Sequence, residues 1–176
     1  MAVVVCAHDA NWPRRFEAER QRLAGVMGKA ACRIEHVGST SVPGLAAKPI
    51  IDVLVGVDSL DRLDARTPAI RSVGYQVKGE YGLPGRRYYR RAAADGTRLA
   101  HIHAYDVTSP EFHRHLAFRD YLRAHPEEAN AYGEHKLTLA AGSSLDGQDY
   151  QAAKSAMVAG IEARALVWAS RADQIA

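Results

Sequence analysis

His36-Val-Gly-Ser-Thr-Ser-Val-Pro-Gly-Leu-Ala-Ala-Lys-Pro-Ile-Ile-Asp52 runs on into Val53-Leu-Val-Gly-Val57, and these residues decide the fold. From Pro49 to Val57 the chain is an almost continuous β-branched run that carries one acid, Asp52. That is the pattern of a central strand buried on both faces, and a charge inside it requires a partner. Upstream, Cys32-Arg-Ile-Glu-His-Val37 alternates as a second strand, with Cys32, Ile34 or Val37 meeting the core, and it ends in the sharp Gly38-Ser39 turn. The turn Gly38-Ser39-Thr40-Ser41 offers backbone N–H groups able to converge on an oxyanion, three hydroxyls, and a glycine that lets the backbone approach closely. Closed by Val42-Pro43-Gly44, it would otherwise be an ordinary loop. The acid on the adjoining strand makes it a candidate phosphate site, and Lys48 adds a cation.

Outward from this centre, Asn11 to Gly28 reads as an amphipathic helix with Asn11 as cap, Pro13 in the first turn, and Phe16, Arg20, Leu23 and Met27 at helical spacing. Leu60 to Val73 is a helix with Leu63, Ile70 and Val73 inward, interrupted at Thr67-Pro68. Gly74-Tyr-Gln-Val and Arg86-Arg-Tyr-Tyr-Arg-Arg are strands around the turn Gly79 to Gly85, and Arg98 to Val107 is another. From Pro110 the period becomes helical: Phe112, Leu116, Phe118, Tyr121 and Leu122 form one face, and Ala129, Tyr132, Lys136, Leu137 and Ala140 another. Gly142 to Gly147 breaks the run before an Ala-rich helix from Tyr150 to Trp168. The order predicts an α+β fold, a mixed sheet with flanking helices on one face and a helical C-terminal part. At 176 residues and 47% hydrophobic content, one domain over 1–176 is expected.

The 23 basic and 20 acidic residues leave a net charge of +3, so nucleic acid is the least favoured partner. Cys6 and Cys32 have no metal-type spacing and read as reduced and structural. The N-terminus is apolar too briefly for a signal peptide, no run approaches the ~18 apolar residues of a membrane helix, and the expected location is the cytoplasm.

A carboxylate beside a phosphate site commonly holds a divalent cation, which points from Asp52 to Mg²⁺. His101 and His103, two apart on a predicted strand, share one face and could join Asp52 as metal ligands, a set that would suit Zn²⁺ or another transition metal. Equally, they could simply line the polar face of the sheet. Glu35 and His36 alternate beside the turn, so one faces inward. Alternation also puts Arg87 and Tyr89 on one face and Arg86, Tyr88 and Arg90 on the other, and Arg87 is taken as the phosphate ligand. Arg119, Arg123, Tyr132, Lys136 and Lys154 read more often as the wet faces of helices.

Several blocks in order, Trp12-Pro-x-x-Phe16, Ile34 to Asp52, Gly79-Glu-Tyr-Gly-Leu-Pro-Gly-Arg-Arg-Tyr-Tyr89, His101-Ile-His103 and Phe118-Arg-Asp-Tyr-Leu-Arg-Ala-His-Pro126, give a chain that resembles the GrpB family. That family lies within the nucleotidyltransferase superfamily of DNA polymerase β type and is also found fused to dephospho-CoA kinase. The resemblance implies a mixed sheet and a Gly-Ser turn that binds a nucleoside triphosphate. Active superfamily members place two metal-binding carboxylates on alternate residues after the turn, whereas here Val53 and Leu54 follow Asp52. Glu35, Glu80 and Asp106 are candidates to replace the absent acid.

The expectation is therefore a nucleotide-binding protein, a metal-dependent nucleotidyltransferase acting on a small-molecule acceptor. Gly38, Ser39, Thr40, Ser41, Lys48 and Arg87 would hold phosphate, while Asp52, His101 and His103 would form the catalytic and metal-binding set. Two alternatives stand beside it: a non-catalytic nucleotide- or phosphate-binding module, and a metal-dependent ligase, lyase or hydrolase using Asp52, His101 and His103.

Overall fold

In the computed structural model, which describes residues 4–141 and 147–173, the apolar run becomes strand β2 (Ile51–Val57), buried along its length except at Asp52. β2 pairs antiparallel with β1 (Ala31–Val37) and parallel with β5 (Arg98–Asp106). Two further antiparallel strands, β4 (Arg87–Ala92) and β3 (Tyr75–Val77), complete a mixed sheet in the order β1-β2-β5-β4-β3.

Alternation along these strands sorts the side chains into two layers. Val53, Val55 and Val57 of β2, with Ile102, Ala104 and Tyr89, pack on α1 (Trp12–Met27), α2 (Leu60–Asp64) and α3 (Thr67–Ser72) through Trp12, Leu23, Met27, Leu63 and Ile70. Each such fully buried aliphatic side chain contributes roughly 1.5–3 kcal/mol. On the opposite face Val37, Leu54 and Tyr105 meet Phe112 and Leu116 of α4 (Pro110–Ala124). Next to them α4, α5 (Pro126–Ala141) and α6 (Gly147–Asp173) share a second cluster around Leu45, Tyr121, Leu122, Tyr132 and Ile161. Helices thus cover both faces, not one. A strand that is apolar on both sides has two surfaces to remove from water, and one layer of helices can cover only one of them.

Other expectations shift in detail. Asn11 does not cap α1 with its side chain; its own N–H donates to Asp9 Oδ1 at 2.8 Å. Arg20 is solvent-facing and paired with Glu17, whereas Glu19 is buried. Glu19 receives the Tyr75 hydroxyl and the Arg91 guanidinium, tying α1 to β3 and β4. Cys32 is exposed, so of the three expected residues Ile34 and Val37 carry β1 into the core, joined by Ala31, and both cysteines are free thiols. Thr67-Pro68 does split the second helical segment, and Ser59 and Ser109 cap α2 and α4. Of the predicted break at Gly142 to Gly147, residues 142–146 lie outside the described residues, and Gly147 begins α6. No helix among the described residues is long and apolar enough to cross a membrane.

Candidate functional site

β1 delivers the chain into the turn at Gly38, whose φ of 69° is open to glycine at little cost. A Cβ there would stand 2.5 Å from Asp52 Oδ2, so the absent side chain is what lets turn and carboxylate touch. Ser39–Ser41 forms one 3-10 turn. Its hydroxyls have different fates. Ser41 Oγ donates to Gly38 O at 2.6 Å, and Thr40 Oγ1 meets His36 Nε2 at 3.0 Å on the far side of the sheet. Only Ser39 Oγ is turned toward cations.

The parallel register sets Asp52 opposite His101 and Leu54 opposite His103. Because both histidines share a face with Asp52, His101 Nδ1 stands 3.4 Å and His103 Nε2 3.7 Å from the same oxygen, Oδ1. Burial alone would raise the Asp52 carboxyl; the two imidazoles overcome that and hold it well below the usual carboxylate range. The outer nitrogens, His101 Nε2 and His103 Nδ1, are buried without a hydrogen-bond partner among the described residues. The three expected residues are therefore brought together. Yet among the described residues no group of three or more His, Cys, Asp or Glu has the arrangement of a metal site. The second-acid position is Leu54, fully buried under Phe112, so a two-carboxylate Mg²⁺ arrangement has no counterpart here.

Three lysines close the site instead. Lys136 of α5, 3% exposed, donates from Nζ to Ser39 Oγ at 2.8 Å and lies 4.2 Å above the Tyr132 ring. Burial first, then Lys154, pushes its pKa down to about 7. Lys154 of α6 is lowered by burial, and Lys48 by burial, Lys154 and Arg98. Lys48 and Lys154 sit 4.1 and 5.9 Å from the ring of Tyr150. Among the described residues, Asp52 is the carboxylate whose charge acts on all three. Three partly desolvated ammonium groups facing one carboxylate leave an excess of positive charge, and an anion would relieve it.

A family model described as GrpB protein matches residues 2–164. The chain belongs to the GrpB family. Among curated GrpB relatives it is 42% identical over 139 residues to the UPF0157 protein YqkA of Bacillus subtilis, covering 79% of this chain and 40% of YqkA. Against a UPF0157 protein of Streptomyces coelicolor it is 35% identical over 158 residues, 90% of this chain and 81% of that one. The crystal structure of the conserved protein GrpB from Enterococcus faecalis superposes with a TM-score of 0.88 at 40% identity, over 93% of this chain and 97% of that one. The chain thus spans well under half of YqkA but nearly all of the solved GrpB structure.

Other residues singled out in this GrpB sequence have structural work elsewhere. Arg87 lies on the α1–α3 face, where Nε and Nη2 grip Asp64 at 2.7 Å, so it is not beside the turn. Alternation separates two arginine faces: Arg90, with Arg86 over the Tyr88 ring, lies on the Asp52 face, and Arg87, the expected phosphate ligand, lies on the other. Arg119, 9% exposed, binds Glu35 at 2.9 Å and His36 O at 3.2 Å, while the exposed Arg123 donates twice to Ser41 O, so the two arginines brace the turn from behind and only Arg119 leaves the wet face. Glu35, Glu80 and Asp106 are engaged by Arg119, by the Gly85 N–H and by Thr108, and none makes an ion pair with the Asp52 group. His36, stacked on Phe16, is pushed down to about 4 chiefly by burial. Lys136 and Lys154, which the sequence reads more often as wet helix faces than as groups closing over the pocket, are the residues that the structure adds to the Asp52 neighbourhood. The one local signal was a lysine on the otherwise apolar Ala129–Tyr132–Lys136–Ala140 face.

Proposed function

We propose that this protein binds the polyphosphate of a nucleoside triphosphate between the Gly38–Ser39 turn and Lys48, Lys136 and Lys154. A nucleotidyl group would then pass to a small acceptor beside Asp52. The observation that carries the reading is Lys136, a buried cation without an ion-pair partner among the described residues, hydrogen-bonded to the turn's one free hydroxyl. Seating phosphate there supplies the missing anion and restores the lysine's charge. In the transfer, the acceptor oxygen bonds to the α-phosphorus, the bridging bond to the β-phosphate breaks, and pyrophosphate leaves. The acceptor's proton passes to the His101–Asp52–His103 group, whose imidazoles have nitrogen atoms free of other partners. A resident metal is not part of this reading, because Leu54 occupies the position of a second acid.

Calorimetric titration with inorganic triphosphate and with ATP, GTP, CTP and UTP, each with Mg²⁺ and with chelator, tests the reading. Wild type should bind, and Lys136→Met should lose roughly tenfold or more of the affinity. Equal affinity in the two proteins, or none in wild type, removes it. The buried Leu54 favours a second reading, in which the same pocket holds a nucleotide without turning it over. Pyrophosphate release in the presence of acceptors separates the two.

A further inference from the structure

The loop between β3 and β4 is wound unusually tightly. Gly79, Gly82 and Gly85 all have left-handed backbones, and so does Tyr81, a non-glycine with φ 47°. Such a conformation in a bulky residue is held by its surroundings. Here the holding group is Arg86, 7% exposed, which donates to Glu80 O at 3.1 Å and Tyr81 O at 2.8 Å. The result is a tyrosine 56% exposed whose ring stacks 5.2 Å from that of Tyr88. Tyr88 in turn lies 5.7 and 5.2 Å from the His101 and His103 rings that flank Asp52.

Arg90 sits over both tyrosines, 4.7 Å from the Tyr81 ring and 5.2 Å from Tyr88, and donates from Nε to Tyr88 Oη at 3.2 Å. It makes no ion pair with a carboxylate among the described residues, while Arg87 and Arg91 on the same strand do. A guanidinium held against a stacked pair of rings keeps a fixed orientation and retains its affinity for planar anions. Register pairs Arg90 with His101 and His101 with Asp52, so Arg90 stands two strands from the carboxylate on the same face, about 10 Å away.

We infer that Tyr81, Tyr88 and Arg90 form the acceptor subsite, and that it takes a planar carboxylic acid bearing a hydroxyl. Arg90 grips the carboxylate, the exposed Tyr81 ring stacks on the planar part, and the hydroxyl reaches toward Asp52. The name "acceptor" rests on the triphosphate reading above; binding of the acid does not.

The probe is 4-hydroxybenzoate, with neutral 4-hydroxybenzyl alcohol as comparator, followed by saturation-transfer NMR and calorimetry on wild type, Arg90→Gln and Tyr81→Gly. Inorganic triphosphate is titrated into each protein in parallel. Wild type should bind the acid and not the alcohol, and either substitution should weaken the acid by roughly tenfold while leaving triphosphate affinity unchanged. Tyr81→Gly relieves the left-handed backbone, so it stays folded and decides the matter if Arg90→Gln does not fold. Absence of acid binding in wild type, equal binding of the alcohol, or retention in both variants overturns the subsite. Acid binding without triphosphate binding would leave the subsite standing and remove the triphosphate reading alone.

Discussion

At the scale of single residues, Lys136 couples the site to pH. Its pKa falls from an ordinary 10.5 to about 7 in the folded chain. Between those values the unfolded chain holds a proton that the folded one lacks, so unliganded stability rises with pH across that window and carries the full penalty below it. An anion in the pocket favours the ammonium form, and phosphate affinity should therefore decline as pH rises through about 7; a flat calorimetric profile would contradict this. Lys136→Met, which removes a buried charge, should raise the unliganded melting stability by roughly 1–3 kcal/mol while weakening phosphate binding by roughly tenfold or more. Gly38→Ala should do the reverse in stability, costing ~2 kcal/mol or more, because it adds left-handed strain and a Cβ 2.5 Å from Asp52 Oδ2. Denaturant titration checks both. The Gly38–Asp52 contact was legible in sequence as a glycine turn leading to an acid. The Lys136–Ser39 bond was not, since 97 residues separate its partners.

At the scale of elements, the sheet is a device for sorting faces. Period-two alternation put Arg86, Tyr88 and Arg90 on one side of β4 and Arg87 on the other, and the structure keeps that division. Alternation is blind to which side the site occupies, because that depends on where β5 lies. Glu19 shows how the α1 layer is fixed to the sheet. Glu19→Gln leaves the Arg91 guanidinium without its counter-charge and should cost about 3 kcal/mol, measured by urea denaturation; a change below about 1 kcal/mol would mean that solvent reaches Arg91 freely. On the other layer, Gly56 of β2 lets α4 approach: a Cβ there would meet Val107 Cγ1 at 2.6 Å and Phe112 at 2.8 Å. Gly56→Ala should destabilise by roughly 1–3 kcal/mol and, by pushing α4 outward, loosen the Arg119 and Arg123 braces on the turn.

For the whole molecule, two neutral histidines, His36 buried and His115 half-buried, set the acid limit. His36 and His115 both fall from 6.5 to about 4, mainly through burial, with His103 adding to the second. Their folded values lie below their unfolded ones, so their contribution is complete above about 6.5 and is lost as pH falls toward 4. Stability should drop by on the order of 2–5 kcal/mol across that interval, and His36→Asn should reduce the loss. The sequence by itself determined the mixed sheet, the glycine turn, the Asp52 strand and the pairing of His101 with His103, because each is written in local spacing and strand periodicity. It also carried the family resemblance, which lies in short ordered blocks. Only the tertiary structure decided that helices cover both faces and that Arg87 belongs to Asp64. It likewise turned Lys136 and Lys154, on helices distant in sequence, inward toward Asp52. Periodicity gives each element its faces, whereas the packing of elements against one another decides which face meets water and which charges share a pocket.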